Sequence, residues 1–181
     1  MTRYALAFVF DELLDANRSY STSFAFEGVA PTAARGFGLV TCMDSRIEPL
    51  VMLGLQPGDA KILRNAGGRV TPDVLRSLVL ATTFLGVRHV AVMHHTGCAL
   101  AGRGEEEVRS GFGSEQAVAA SDWDFLAMPD PDTALAADVE AVRGCAVLPN
   151  GIAVEGWRYD VRTGLVDRVI AAATRLCSTP K

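Results

Sequence analysis

The sequence has no long hydrophobic run and no excess of basic residues. Its 181 residues include 17 Lys and Arg against 21 Asp and Glu, which gives a formal net charge of −4. No basic stripe is available to neutralise a phosphate backbone, so nucleic acid is excluded as an expected partner. The apolar run from Tyr4 to Phe10 stops at Asp11, well short of the roughly 20 residues that a membrane span needs. We expect a cytoplasmic protein with no membrane association.

Cysteine is also scarce, with four residues in the chain. Four cysteines are too few for a disulfide scaffold in a chain of this length, so reduced thiols are expected. We interpret Cys145 and Cys177 as small buried hydrophobic residues. Cys42 and Cys98 are the candidates for chemistry, because cysteines close to a histidine in a reducing compartment indicate metal binding or catalysis.

Hydrophobic residues make up 49% of the chain. This fraction is ample for one buried core, and the length is typical of one compact domain. The sequence has no internal repeat and no low-complexity tract. We therefore predict a single domain over residues 1–181.

The apolar pattern predicts alternating strands and helices. Strands are expected at 39–41, 60–63, 89–93 and 151–159, and helices at 4–20, 47–53, 72–85, 115–120, 134–142 and 166–176. Residues 101–132 are expected to form a surface excursion whose acidic run at 105–107 is solvated. Parallel neighbours in a sheet need crossover helices, so this order favours an α/β fold with a central, mostly parallel β-sheet flanked by α-helices.

Two short motifs follow predicted strands: Cys42-Met43-Asp44-Ser45-Arg46 and His95-Thr96-Gly97-Cys98. Ligands of such sheets bind beyond the carboxyl ends of the strands, where Cys42 and His95 both fall. Two cysteines and one histidine are a ligand set that zinc accepts while keeping a fourth position open. Adjacent residues of a strand face opposite ways, so position favours His95 over His94, which is expected to pack or hydrogen-bond behind the sheet.

Asp44 and Arg46 alternate along the chain just after Cys42, so both can project into one cleft and form an ion pair. The alternative is an ordinary surface salt bridge. The glycine-rich segment Arg64-Asn65-Ala66-Gly67-Gly68 lacks the Gly-Lys-Ser/Thr ending of a phosphate-binding loop. We expect it to support the cleft through backbone hydrogen bonds.

Taken together, these motifs resemble those of the β-class carbonic anhydrases, whose zinc motifs are Cys-x-Asp-x-Arg and His-x-x-Cys. The resemblance includes the segment 64–68 with the helix after it, and is strongest to the short bacterial and archaeal members. It implies a β-carbonic anhydrase-like fold in which Cys42, His95 and Cys98 hold one Zn²⁺, with Asp44 and Arg46 as the catalytic pair. The implied activity is the reversible hydration of carbon dioxide to bicarbonate by a zinc-bound hydroxide.

The resemblance also implies a homodimer or a dimer-based homo-oligomer, with the N-terminal helix across the interface. It further implies a closed form, in which Asp44 leaves Arg46 and becomes the fourth zinc ligand. Two positions depart from the usual pattern. Similar proteins often have a polar or acidic residue in place of Gly97 and typically a glycine in place of Ala99, whose methyl group can crowd the backbone beside bound bicarbonate.

Other functions fit the same residues. A carbon disulfide or carbonyl sulfide hydrolase on the same fold would use the same zinc ligands with different access to the site. A catalytically weak zinc-binding homologue, a structural zinc site and a redox module with a disulfide between Cys42 and Cys98 are further alternatives. Zinc analysis and an assay of carbon dioxide hydration distinguish them.

Overall fold

A computed structural model describes residues 6–174 of the chain, with side chains from residue 9 onward. The chain divides into two compact units, with the boundary between Ala30 and Pro31. The first unit contains helix α1 (Leu6–Ser21), whose side chains from residue 9 onward are exposed. The predicted start of this helix at residue 4 lies outside the described residues, as does Cys177.

The second unit contains a β-sheet with helices on its faces. In chain order, its elements are β1 (Phe37–Cys42), α2 (Pro49–Met52), β2 (Ala60–Asn65), a 3₁₀ turn (Ala66–Gly68), α3 (Pro72–Phe84), β3 (His89–His95), α4 (Glu105–Ser110), α5 (Ser114–Ala119), α6 (Pro131–Gly144), β4 (Ala153–Tyr159) and β5 (Val166–Thr174). Within residues 6–174 the strand order is β2-β1-β3-β4-β5, and every neighbouring pair is parallel except β4 with β5. The predicted mostly parallel sheet is confirmed.

The two central strands, β1 and β3, are buried on both faces, which explains their almost continuous apolar sequences. One face packs under α3 and α6, where Val40 and Val92 meet Leu78 and Val139. The opposite face belongs to a second cluster, formed by Leu39, Ala91, Met93, Cys42 and Ile47. Neighbouring residues in the middle of β1 and β3 therefore face two different cores, whereas Cys42 at the end of β1 lies in the same cluster as Leu39.

Helix α3 begins as its sequence predicts. Thr71 caps it, because its side chain accepts a hydrogen bond from the backbone N–H of Val74 at 3.3 Å, and Pro72 occupies the first turn. Val74, Leu78 and Ala81 are buried on the face that meets the sheet. This crossover connects β2 to β3 and leaves the carboxyl ends of β1, β2 and β3 at one edge.

The prediction of a closing helix at residues 166–176 is wrong over the described residues. Residues 166–174 form β5, which pairs antiparallel with β4 from Val166–Tyr159 to Thr174–Ala153. Three consecutive alanines favoured a helix, but the edge of β4 offers a ladder of hydrogen bonds that local propensity does not reveal. Residues 175 and 176 lie outside the described part.

The excursion after β3 contains more structure than predicted. The short helix expected near 115–120 is present as α5, but the acidic run at 105–107 begins a further helix, α4. Glu105 is not simply solvated, because its carboxylate accepts the backbone N–H groups of Phe125 at 3.1 Å and Ala127 at 2.7 Å. Among residues 6–174, no helix is long and apolar enough to cross a bilayer.

Candidate metal centre

Three side chains from two neighbouring strands and the following loop meet at the carboxyl edge of the sheet. Cys42 is the last residue of β1, and His95 is the last residue of β3. Cys98 follows after a turn at Gly97, whose φ of 64° is in the left-handed region that favours glycine. One potential ligand atom from each of the three side chains lies within 4.8 Å of the other two, and all three residues are buried.

The imidazole of His95 is oriented for metal binding. Its Nδ1 lies 2.9 Å from the carbonyl oxygen of Thr96. A carbonyl can only accept, so Nδ1 carries the proton and Nε2 presents a lone pair. Nε2 is buried without a hydrogen-bond partner. A buried acceptor in this state fits a metal ligand whose other ring nitrogen is fixed by a backbone carbonyl.

The two thiols share a negative charge. The pKa of Cys42 is lowered, chiefly by a hydrogen bond from Cys98 and with help from the backbone N–H groups of Asp44 and Gly67, whereas burial opposes this shift. The pKa of Cys98 is raised because its proton is held by Cys42 and because the thiol is buried. Burial lowers the pKa of His95, but Cys42, the carbonyl of Thr96 and the charge of Asp44 together raise it by more. A divalent cation would replace the shared protons and neutralise two thiolates.

Asp44 and Arg46 form the predicted ion pair. Arg46 Nε and one terminal nitrogen donate to the two carboxylate oxygens at 2.9 and 2.7 Å, and the backbone N–H of Arg46 adds a third bond at 2.9 Å. These bonds hold the pKa of Asp44 well below its usual range. Asp44 Oδ2 also lies 3.9 Å from His95 Nε2. The ion pair of Asp44 and Arg46 is therefore next to the Cys–His–Cys group and is not a surface salt bridge far from it.

The segment at residues 64–68 supports the site, as predicted, through side-chain as well as backbone contacts. The Arg64 guanidinium donates to the carbonyl oxygens of Cys42 at 3.1 Å and Asp44 at 2.6 Å. The N–H of Met43 donates to the carbonyl of Asn65 at 2.8 Å. Gly68 lies so close to β1 that a Cβ atom there would be 2.9 Å from the backbone nitrogen of Cys42.

A cavity of about 490 Å³ opens beside the two cysteines, and both Cys42 and Cys98 line it. Asp44 and Arg46 line it together with Ala99, the residue whose methyl group departs from the usual glycine. The volume exceeds what a triatomic substrate needs and admits water as well. The cavity therefore brings the first motif together with Cys98 of the second, whereas His95 lines another cavity with Thr96 and Gly97.

The sequence did not predict a buried network behind the site. His94 faces α6, as expected from strand alternation, and its Nε2 donates to Asp138 Oδ2 at 3.0 Å. Asp138 also accepts from Arg69 Nε at 2.6 Å and from the N–H of Val70 at 3.0 Å. Burial raises the pKa of Asp138, but these donors outweigh it and lower the pKa overall. No local motif marks Asp138 or Arg69, because their partners are far away in sequence.

These features define a class of protein: an α/β fold with a cysteine–histidine–cysteine group at the carboxyl edge of a mostly parallel sheet. A sequence model of the carbonic anhydrase family matches residues 37–112. A crystal structure of carbonic anhydrase from Streptococcus mutans superposes with a TM-score of 0.82 and 38% identity, covering 88% of this chain and 96% of that chain. The protein belongs to the β class of the carbonic anhydrase family.

Two curated relatives carry different names. Beta-carbonic anhydrase 1 of Mycobacterium tuberculosis is 28% identical over 162 residues, which cover 89% of this chain and 98% of the relative. A carbon disulfide hydrolase from an Acidianus strain is 33% identical over 152 residues, which cover 71% of this chain and 74% of the relative. The family therefore includes relatives that are named for two different substrates.

Proposed function

We propose that this protein catalyses the reversible hydration of carbon dioxide to bicarbonate at a zinc ion held by Cys42, His95 and Cys98. The proposal rests on one observation: two sulfur atoms and one imidazole nitrogen of buried residues lie within 4.8 Å of one another. The Nε2 atom of this imidazole has no hydrogen-bond partner. Thiolate and imidazole are the ligands that tetrahedral zinc prefers, and three of them leave one position open. When bound, zinc lowers the pKa of a water molecule far below that of bulk water, and so supplies a nucleophile near neutral pH.

In this proposal Asp44 and Arg46 are the catalytic pair. Arg46 keeps Asp44 ionised, so its carboxylate can accept a hydrogen bond from the attacking water and orient it. Arg64 fixes the carbonyls on either side of Met43, which restricts how far Asp44 can move. Cys42 and Cys98 must stay reduced to bind metal, and both are free thiols. This requirement supports the proposed cytoplasmic location.

Carbon disulfide hydrolysis is the second candidate, because the Acidianus relative is 33% identical to this chain. Carbon dioxide is the better supported substrate, because the Streptococcus mutans carbonic anhydrase is matched at higher identity and over nearly its whole length. Both substrates are linear and have an electrophilic carbon, so the ligands do not discriminate between them. Release of hydrogen sulfide from carbon disulfide, measured beside carbon dioxide hydration, decides between them.

The zinc-loaded protein is expected to hydrate carbon dioxide in stopped-flow assays and to contain one zinc per chain. Cys42→Ser should remove a thiolate ligand, lower the zinc content and reduce activity by at least about 100-fold. Cys145→Ser is the matched control, because Cys145 is a free cysteine that caps α6. It should keep both zinc and activity. Full zinc content and full activity in Cys42→Ser would contradict the proposal.

The pH profile of the same assay bears on the proposed closed form, in which Asp44 becomes the fourth ligand. The pKa of Asp44 is lowered, so this carboxylate is already ionised at neutral pH. A rise in activity above neutral pH therefore cannot come from the titration of Asp44. The separation of 3.9 Å between Asp44 Oδ2 and His95 Nε2 supports a short movement. We expect activity to rise above neutral pH, with Asp44 on the metal in acid-grown crystals. Asp44 still paired with Arg46 in such crystals would contradict the closed form.

We also propose that residues 1–181 act as one zinc-enzyme domain that assembles as a homodimer or a dimer-based oligomer. Helix α1 exposes Phe10, Leu13 and Leu14 by 69%, 62% and 55%. A row of large apolar side chains on a helix is stabilised when a partner buries it, and a second copy is the simplest partner. Light scattering should give at least twice the mass of one chain at every concentration tested. A monomer that does not respond to concentration would contradict the dimer.

A further inference from the structure

The Arg46 side chain has one anchor that does not belong to Asp44. A terminal nitrogen of its guanidinium donates to the carbonyl oxygen of Gly97 at 3.0 Å. Half of the Arg46 side chain is exposed, against 18% of Asp44. An ion pair this open to solvent is weakly held by its charges alone. The carbonyl of Gly97 therefore helps to fix the position of the Arg46 guanidinium.

The neighbouring carbonyl, that of Thr96, orients the other side of the site. It accepts the Nδ1 proton of His95 at 2.9 Å and so directs Nε2 toward the two cysteines. The two consecutive carbonyls of Thr96 and Gly97 thus orient His95 and Arg46. Any displacement of Thr96 would disturb both contacts together.

The turn between β4 and β5 holds Thr96 in place. The Thr96 hydroxyl accepts the backbone N–H of Val161 at 3.2 Å and donates to Asp160 Oδ1 at 3.4 Å. Asp160 Oδ1 is itself fixed by the N–H of Arg162 at 2.8 Å. The backbone N–H of Thr96 donates to the carbonyl of Tyr159 at 2.9 Å. The hydroxyl of Thr96 thus connects the ligand loop to this turn.

We propose that Thr96 and Asp160 are positioning residues for the reaction. The hydroxyl of Thr96, held by the turn at Asp160 and Val161, fixes the two carbonyls that orient His95 and Arg46. Neither residue touches the substrate in this proposal, which rests on the proposed function. Their effect therefore falls on the rate of the chemical step and not on substrate binding, because small misplacements of reacting groups are costly.

Thr96→Val and Thr96→Ser separate the hydroxyl from the shape of the side chain. Valine keeps the volume but leaves the N–H of Val161 without its acceptor, whereas serine keeps the hydroxyl. We expect Thr96→Val to lower kcat for carbon dioxide hydration by about tenfold with KM unchanged, and Thr96→Ser to stay within about threefold of the unmodified protein. Equal kcat values for the two variants would overturn the proposal.

Hydrogen exchange of the Arg46 Nη protons, followed by NMR on ¹⁵N-labelled protein, gives a readout that does not depend on turnover. Exchange should be faster in Thr96→Val than in Thr96→Ser, because the guanidinium loses a fixed acceptor. If exchange differs in this way but no variant hydrates carbon dioxide, the proposed function fails and the positioning role stands. If the enzyme is active and both variants match it in kcat and exchange, the positioning role fails.

A second pair of variants tests the same link from outside the ligand loop. Asp160→Ala removes the oxygen that accepts from Thr96 and Arg162, whereas Asp160→Asn keeps an oxygen there. Asp160→Ala should reproduce the effects of Thr96→Val, and Asp160→Asn those of Thr96→Ser. If Thr96→Val does not fold, the two Asp160 variants still test the positioning role. Equal kcat values and equal exchange rates in Asp160→Ala and Asp160→Asn would overturn the proposal.

Discussion

Replacing Asp138 with alanine is expected to lower the free energy of unfolding by about 3–5 kcal/mol, because it leaves a buried cation without its partner. The side chains of Arg69 and Asp138 are 11% and 5% exposed, and their ion pair is 2.6 Å long. The substitution also removes the acceptor of His94 Nε2 and of the Val70 N–H. Urea unfolding of the two proteins measures the difference.

Asp132→Ala is the matched control for this experiment. Asp132 lies on the same helix, and its side chain is 66% exposed in a surface ion pair with Arg158. Its loss should change the free energy of unfolding by no more than about 1 kcal/mol. Similar losses in the two variants would show that the buried network does not stabilise the fold.

The effect of Asp138 has a defined pH dependence. Its folded-state pKa is lowered, so its contribution is present above the ordinary aspartate pKa of about 3.9 and is lost as the pH falls through the folded-state value. The unmodified protein and Asp138→Ala should therefore differ most near neutral pH and converge in acid. A difference that grows in acid would contradict this assignment.

Gly68→Ala is expected to cost about 2–4 kcal/mol and to lower the zinc content, because strain and overpacking act together. Gly68 has a φ of +70°, and an added Cβ would lie 2.9 Å from the nitrogen of Cys42 and 3.1 Å from the carbonyl oxygen of Met93. Both contacts are with backbone, which cannot move aside as a flexible side chain can. The variant should therefore displace the strand end that carries Cys42. Thermal unfolding and zinc analysis measure the two effects.

Gly151→Ala is the control that separates backbone strain from the close contact of the added Cβ atom with its neighbours. Gly151 has a φ of +84°, and a Cβ atom there would meet nothing within 4 Å. It should cost about 1–2 kcal/mol for the left-handed backbone alone and leave the zinc content unchanged. If Gly68→Ala were no more harmful than Gly151→Ala, the close approach to Cys42 would be unimportant.

Much of the site could be predicted from sequence because strand geometry imposes simple rules. Side chains alternate along a strand, so His94 could be assigned to the face opposite that of His95. The structure agrees: His94 reaches Asp138 on α6, whereas His95 lies with Cys42 and Cys98. Cys42 itself departs from the alternation, because it joins the cluster of Leu39 and not that of Val40. Parallel strands also bring their carboxyl ends to one edge, which placed Cys42 near His95.

The rest depended on contacts between distant parts of the chain. β5 is a strand because β4 leaves an edge to pair with, and its own alanine-rich sequence does not indicate this. The partners of Asp138 and Thr96 lie on other elements, so neither residue belongs to a recognisable local pattern. Sequence periodicity locates elements, but it does not specify which polar side chains meet between them.

The Cys–His–Cys group exists only when β1 and β3 are paired side by side. An unfolded chain holds Cys42 far from His95 and Cys98, so a metal with affinity for the group binds the folded state in preference. Metal binding and folding are then thermodynamically linked, and the melting temperature rises with the concentration of free metal. We therefore expect a strong chelator to lower the melting temperature of the metal-loaded protein.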